Sequence, residues 1–333
     1  MRRYVVIFIL VIACTYLVHT GLISVKLFPA QASLQALTVD KVFGIHLWLI
    51  SALFSLIMVL LIYSLIFDRR KKGETGDGAY ITGNSTLEIT WTAIPLILVI
   101  TLSIIGAQTL GVVQQIDPSA MVVKVVSGQW FWHFQYPDYG ISTNELWLPF
   151  GKQVDLQMTS NDVIHSLWVP QFRIKQDIVP GRTIDLRITP ILIGDYTVYC
   201  NQLCGLRHAY MTAPVKVVSQ ADFDKWAAQQ QANAPKDPAL IGQVLAQSYG
   251  CSNCHTTDGS KSTGPTWLHL YGSNVKLSDG SSVVADDIYI RNSITNPNLQ
   301  IVNGFQSNVM PDFSKVFDST MVDDLLAYLK TLK

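Results

Sequence analysis

The sequence predicts a multidomain membrane protein, with transmembrane α-helices at the N-terminus, a β-sandwich in the middle and an all-α domain at the C-terminus. Three observations lead there. Of 333 residues only 14% are charged and 49% are hydrophobic, an unusual balance for a soluble chain of this size. The apolar residues crowd into the first third, and the pattern then changes period twice. The formal net charge is +0, so the chain has no electrostatic footprint for nucleic acid.

The N-terminal region, 1–118, holds three apolar runs, at about 4–23, 42–67 and 91–113. Crossing the hydrocarbon layer takes about 20 apolar residues, and each run suffices. The first follows Arg2 and Arg3; the second contains His46 but no charge; the third is uncharged. "VIAC" at 11–14 offers a rival for the first run, with Cys14 as the lipidated first residue of a processed chain. The apolar stretch continues past Cys14 as "TYLV", which favours an uncleaved helix. Lysine and arginine favour the cytoplasmic side, so "FDRRKKGE" at 67–74 places the loop 68–87 inside and everything after residue 114 outside. Residues 24–41 then read as a short outer loop.

From 119 to 218 the period shortens. "MVVKVVSGQWFWHFQY", "KQVDLQMTS", "RTIDLRIT", "GDYTVYC" and "APVKVVS" are rich in β-branched and aromatic residues and read as strands of a sandwich. Trp130, Trp132, Phe134 and Tyr136 share one face of the first pair, with Trp132 and Tyr136 read as core. "QADFDKWAAQQQ" at 220–231 reads as a helix, and the two prolines of "ANAPKDPAL" break it, so 219–237 is helix and linker. Residues 238–333 are helical in pattern. The last helix starts near Ser319, with Thr320 and Asp323 at capping-box spacing and Val322, Leu325, Leu326 and Leu329 as its apolar stripe. Asp286, Asp287, Asp323 and Asp324 read as a solvated face.

Four of the five cysteines fall in two clusters. "CSNCH" at 251–255 has the spacing of covalent c-type haem: Cys251 and Cys254 supply thioethers and His255 the proximal ligand. A redox disulfide or half of a zinc site competes. A redox pair would follow a strand of a βαβ unit, whereas this one follows a helix, and only His269 is at hand for zinc. A thioether in the second axial position raises the potential, and Met310 in "SNVMPDF" is the candidate; Met321 reads as packing. Region 238–333 resembles a class I cytochrome c domain, in which a Gly-Pro pair after the haem motif orients the proximal histidine. Gly264 and Pro265 match it.

The second cluster comprises His165 of "HSLWVP" and Cys200, Cys204, His208 and Met211 of "CNQLCGLRHAYM". Thiolates, imidazoles and a thioether suit copper, and the second thiolate permits two bridged ions. Zinc and a Cys200–Cys204 disulfide are the competing readings.

"DVIHSLWVP", "KQDIVPGR" and "CNQLCGLRHAYM" together resemble subunit II of the haem-copper cytochrome c oxidases. The resemblance covers 42–218, and 238–333 resembles the cytochrome c domain fused to that subunit in caa-type oxidases. It implies a cupredoxin-like sandwich and a dinuclear copper centre on His165, Cys200, Cys204, His208, Met211 and the main-chain carbonyl of Gln202. The family has glutamate where Gln202 stands, and that carboxylate also reaches a magnesium ion at the subunit I boundary; a neutral amide is a poorer ligand for it. In "GQWFWHFQY" the resemblance makes Trp130 the point where electrons reach the copper domain. In "LEITWTAIP" it places Glu88 at the mouth of a proton channel of the partner subunit, although a carboxylate at a helix N-terminus is common in any case.

The implied function is an electron-accepting oxidase subunit in the bacterial inner membrane, multi-pass, with both cofactor domains outside. Electrons would pass from an external cytochrome or quinol-oxidising complex through haem c and the copper pair to a subunit that reduces oxygen to water and moves protons. His19 and His46 are the only histidines of the apolar runs, too few for the oxygen-reducing centre, so subunit I and other oxidase subunits are implied partners beside membrane lipid. Three alternatives stay open: a subunit of a copper-containing nitric oxide reductase, a membrane-tethered electron carrier with no fixed enzyme, and a structural role in which the metal sites are relics. The topology is tested by a reporter enzyme active only outside the cytoplasm. It should be active when fused after residue 118 and inactive after residue 75; the reverse would invert the reading.

Overall fold

The computed structural model describes residues 2–26, 28–70, 72–78, 80–314 and 316–333. They divide into two units, Met1–Gln31 with Gln35–Gln115, and Ala32–Leu34 with Ile116–Lys333.

The first unit holds three helices long and apolar enough to cross a membrane: α1 (Arg2–Ser24), α2 (Leu34–Phe67) and α3 (Ser85–Val113). All three begin earlier than the apolar runs, α2 and α3 by more than one turn. Asp40 and Lys41 end the hydrophobic run but do not break a helix, so α2 takes in much of the predicted outer loop. At the start of α3 the Asn84 side chain accepts from the Leu87 amide and Glu88 Oε1 accepts from the Asn84 amide, each at 3.1 Å. This reciprocal cap gives Glu88 a structural role. Between α1 and α2 the buried His19 ring stacks on Trp48 at a centroid distance of 3.6 Å, and Ser51 and Ser55 of α2 are also buried. Helix α3 buries none of its residues.

In the second unit, ten strands form two five-stranded sheets: β1 (Met121–Gly128), β2 (Phe131–Tyr136), β3 (Ile141–Thr143), β4 (Leu146–Pro149), β5 (Val154–Ser160), β6 (His165–Trp168), β7 (Lys175–Ile178), β8 (Ile184–Ile188), β9 (Gly194–Cys200) and β10 (Thr212–Val218). The orders are β3-β2-β1-β5-β8 and β4-β10-β9-β6-β7, with β1–β5 and β4–β10 parallel and the other pairs antiparallel. Alternation along β5 buries Val154, Leu156, Met158 and Ser160, and Trp132, Phe134 and Tyr136 of β2 join the core. Strands β3, β4 and β7 escaped the sequence reading because three or four residues are too few to establish a period of two.

Residues 32–34 are no free loop. The Ala32 amide donates to Gln171, Leu34 to Thr189, and Ile191 to Ala32, at 3.0, 3.0 and 2.9 Å. Helix α4 (Gln220–Ala232) is likewise part of the sandwich rather than linker. Trp226 stacks on Trp147 with centroids 4.9 Å apart, and Phe223 is fully buried.

The C-terminal region comprises α5 (Pro238–Ser248), β11 (Asn274–Lys276), β12 (Ser282–Val284), α6 (Asp287–Thr295) and α7 (Ser319–Leu329). It is not strictly all-α, because β11 and β12 pair around an Asp279-Gly280 turn, where Asp279 accepts from the Ser281 amide and hydroxyl. Helix α7 is capped by Asp318, which accepts from the Met321 amide, not by Thr320. The acidic face also has structural work: Asp286 caps α6, Asp287 meets Lys330 and Tyr271, and Asp323 pairs with Arg291.

Helices α5 and α7 cross at Gly242, where a Cβ would fall 1.9 Å from the Asp324 carbonyl oxygen. Backbone cannot yield as a side chain can. Gly242→Ala should therefore destabilise this region by about 1–3 kcal/mol or more, read by thermal or denaturant unfolding; an unchanged midpoint would show that the crossing tolerates the methyl group.

Candidate metal centre and cofactor cavity

Strands β6 and β9 are paired, with Leu167 opposite Cys200, and this pairing places His165 beside the loop that follows β9. Cys200 Sγ lies 3.7 Å from Cys204 Sγ, 3.8 Å from His165 Nδ1 and 3.3 Å from the Gln202 carbonyl oxygen. Cys204 Sγ lies 3.4 Å from His208 Nδ1 and 3.8 Å from Met211 Sδ. The ligand atoms of His165, Cys200 and Cys204 all fall within 4.8 Å of one another, and all three residues are buried. The six residues named from the sequence thus meet at one place, and Gln202 brings its carbonyl while its side chain is exposed.

The two thiols differ. Burial opposes ionisation of Cys200, but the hydrogen bond from His165 and those of the loop outweigh it, and its pKa falls to about 6. Cys204 is pushed up to about 12 by burial and by the charge of Cys200. A second thiolate there would need a cation beside it, which a thiophilic metal supplies. Both cysteines are free thiols.

Sequence reasoning missed Asp162 and Gln129. Asp162 Oδ1 accepts from His165 Nε2 at 2.8 Å, so the other ring nitrogen, Nδ1, faces the sulfur. Its second oxygen accepts from the Gln129 amide at 2.7 Å. Burial lowers the pKa of His165, but Asp162 and Cys200 more than reverse this. Gln129 Nε2 and Trp130 Nε1 donate to the same Cys204 carbonyl, at 2.7 and 3.2 Å. Asp162 stands three residues before His165, and the pairing of a ligating imidazole with a carboxylate is the signal that could have found it. No comparable signal marks Gln129.

Cys251, Cys254, His255 and Met310 line one cavity of ≈ 270 Å³, walled by apolar groups such as Leu270, Ile294 and Phe313. His255 shares its Nδ1 proton with the Pro265 carbonyl at 2.8 Å and stacks on Trp267 with centroids 4.9 Å apart. Gly264 fits against the ring, since a Cβ would fall 2.8 Å from His255 Cε1. The Gly-Pro pair therefore abuts the imidazole and fixes its plane. Burial lowers the His255 pKa, and burial pushes the Cys251 thiol up to about 12. Two free thiols, a neutral imidazole and a thioether facing one apolar cavity fit a covalent haem.

A sandwich with a dithiol, two imidazoles and a thioether at one end, preceded by bilayer-length helices, defines a cupredoxin-like metal-centre domain on a membrane anchor. Residues 141–218 match the family described as "Cytochrome C oxidase subunit II, periplasmic domain", and 21–108 match "Cytochrome C oxidase subunit II, transmembrane domain". Cytochrome c oxidase subunit 2 of Thermostichus vulcanus is 37% identical over 269 residues, 64% of this chain and 82% of the relative. That of Alkalihalophilus pseudofirmus is 28% identical over 300 residues, 86% of this chain and 84% of the relative. The solved periplasmic domain of subunit II of cytochrome oxidase of Bradyrhizobium japonicum is 28% identical and covers 36% of this chain and 100% of its own, with a TM-score of 0.34. The chain belongs to the cytochrome c oxidase subunit II family and is a component of a haem-copper oxidase.

Asp162 should matter through His165. Asp162→Asn is expected to weaken the affinity of the sandwich for a thiophilic metal by roughly 10–100-fold in a competition titration with a chelator; equal affinity would leave Asp162 a merely structural residue.

Proposed function

We propose that this chain is the electron-accepting subunit of a cytochrome c oxidase carrying two cofactor sites of its own. Haem c is held by Cys251, Cys254, His255 and Met310, and a dinuclear copper centre by His165, Cys200, Gln202, Cys204, His208 and Met211. The observation that carries the reading is the convergence of every ligand named from the sequence on one of two places, a sulfur-centred cluster and a single apolar cavity. The match to the Alkalihalophilus relative supports the C-terminal domain as part of the subunit, because the share of this chain it leaves unmatched is smaller than residues 238–333.

Bound there, the copper pair and the haem supply one-electron storage. The protein keeps the ligands still. Asp162 fixes the His165 ring, Pro265 fixes His255, and Gln129 with Trp130 pins the carbonyl of Cys204. Little reorganisation is then needed when an electron arrives, and Trp130 lies next to the copper ligands as the port through which it comes. The direction is from an external cytochrome or quinol-oxidising complex to 238–333, to the sandwich, and on to subunit I, where oxygen is reduced and protons are moved. We place the copper and haem domains, 119–218 and 238–333, on the outer face of the bacterial membrane, behind a multi-pass anchor. Helix α3, with no residue buried, offers its apolar sides to lipid and to subunit I. Glu88 would serve proton uptake in addition to its cap. No magnesium is assigned, because Gln202 offers an exposed neutral amide. Family membership favours this oxidase over a nitric oxide reductase subunit or a free-standing carrier.

Purification from native membranes should bring down a haem-copper catalytic subunit with the chain; its absence would end the oxidase reading. In the same preparation Cys200→Ser should abolish the near-infrared band of a mixed-valence copper pair. Met310→Ala should leave haem attached while altering its spectrum and lowering its potential. A persistent near-infrared band or an unaltered haem spectrum would remove the respective residue from the ligand set.

A further inference from the structure

Helices α1 and α2 run antiparallel and touch near both ends. At one end Arg3 lies 3.7 Å from Asp68, and at the other the His19 ring stacks on Trp48. Between these contacts lies a groove of ≈ 330 Å³, walled by α1 from Leu10 to Leu17 and by α2 from Val59 to Phe67. Every lining side chain is apolar except those of Cys14 and Tyr63. The two walls rise about 10–12 Å, most of one leaflet of a hydrocarbon layer about 30 Å thick.

The groove ends in charge. Phe67 is followed by Asp68 and by "RRKK" at 69–72, and α1 opens with Arg2 and Arg3. In the segments 2–3 and 68–74 six basic residues stand against two acidic ones, Asp68 and Glu74. Arg3 is spent on Asp68, and Arg70 donates to the Gly76 carbonyl at 2.9 Å, while Arg2 and Arg69 are exposed. The topology proposed above puts this end on the cytoplasmic side, where a basic loop alone is ordinary and names no ligand. Here the basic residues stand at the mouth of a groove of acyl-chain length, and basic pockets between membrane helices at that face take anionic lipid head groups. The wall from α1 lies outside residues 21–108, the span matched to the subunit II transmembrane domain, so the groove is not a feature of that span.

We propose that the groove between α1 and α2 holds an acyl chain of an anionic phospholipid, whose phosphate is bound by the arginines at 2–3 and 69–70. Each end of such a molecule meets its complement. The hydrocarbon lies on apolar side chains over about one leaflet, and the phosphate meets guanidinium groups, whose planar fork suits it. Neither half selects this ligand alone: a basic loop attracts any anionic surface, and an apolar groove accepts any chain or helix. The site needs both walls, so cleavage before Cys14, which removes residues 1–13, would abolish it.

The test uses the full chain purified in detergent, with dioleoylphosphatidylglycerol as the probe and dioleoylphosphatidylcholine as its neutral counterpart. Native mass spectrometry should show a single phosphatidylglycerol held by the chain, retained roughly 10-fold better than the choline lipid and not displaced by excess inorganic phosphate. Ala13→Phe, which fills the groove and leaves every charge in place, should cut retention of both lipids on the order of 10-fold. The double variant Arg2→Gln, Arg69→Gln should erase the preference for the anionic lipid and leave retention of the choline lipid unchanged; the remaining arginines and lysines keep the loop on its side of the membrane. Equal retention of the two lipids by the unsubstituted chain, or retention indifferent to both sets of substitutions, would overturn the site. A chain mass lacking residues 1–13, or carrying a covalent acyl group on Cys14, would overturn it as well. So would a cross-link in native membranes from Cys14 to another oxidase subunit, which would show a protein helix in the groove. If Ala13→Phe does not reach the membrane, the arginine variant decides.

Discussion

The functional end of the molecule depends on two cysteine sulfurs held 3.7 Å apart in a buried site. The two thiols differ: the first ionises readily, and the second stays protonated because ionising would place a second negative charge beside the first in a poorly hydrated place. The surroundings are arranged around that conflict. His165 approaches one sulfur and His208 the other, the Gln202 carbonyl and Met211 close the remaining sides, and Asp162 orients His165 from behind. A cationic metal would allow both sulfurs to ionise, so the arrangement is suited as a binding site.

Holding that arrangement is the work of the sandwich. His165 and Cys200 lie on neighbouring strands, β6 and β9, whose pairing determines their separation, and Trp132 donates to the Met211 carbonyl at 3.3 Å to secure the far end of the loop. Helix α4 closes the sandwich through Phe223 and Trp226. The rigidity of the strands is thereby transmitted to cluster side chains that sit on a loop.

The cavity around His255 follows the same logic with different parts. A carbonyl, not a carboxylate, takes the second ring nitrogen, and a stacked Trp267 and a close glycine fix the plane of the imidazole. Gln129 touches both centres, since it bonds the Cys204 carbonyl and lines the cavity of Cys251 and His255. A strand shows alternate residues to opposite faces, and Phe131 of β2 belongs to a buried cluster whose other buried members all come from residues 246–329. One face of β2 is core of its own domain, and the other is core of the next.

The sequence by itself determined the elements whose signal is local: the three apolar helices, the longer strands of period two, Cys-x-x-Cys-His, the Cys-x3-Cys loop with its histidine and methionine, and the stripe of α7. Their residues declare themselves by spacing or by a scarcity of charge that only a bilayer explains. Tertiary structure alone decided what depends on contact across the chain. It made Asp162 the partner of His165, gave Gln129 the Cys204 carbonyl, moved α4 and residues 32–34 into the sandwich, turned Asp286 and Asp318 into caps, and buried Phe131 in the neighbouring domain. An aspartate, a glutamine and a phenylalanine in a polar-aromatic stretch carry no pattern of their own. Their roles come from what the fold sets opposite them, and the separation in sequence between those partners is what kept them unread.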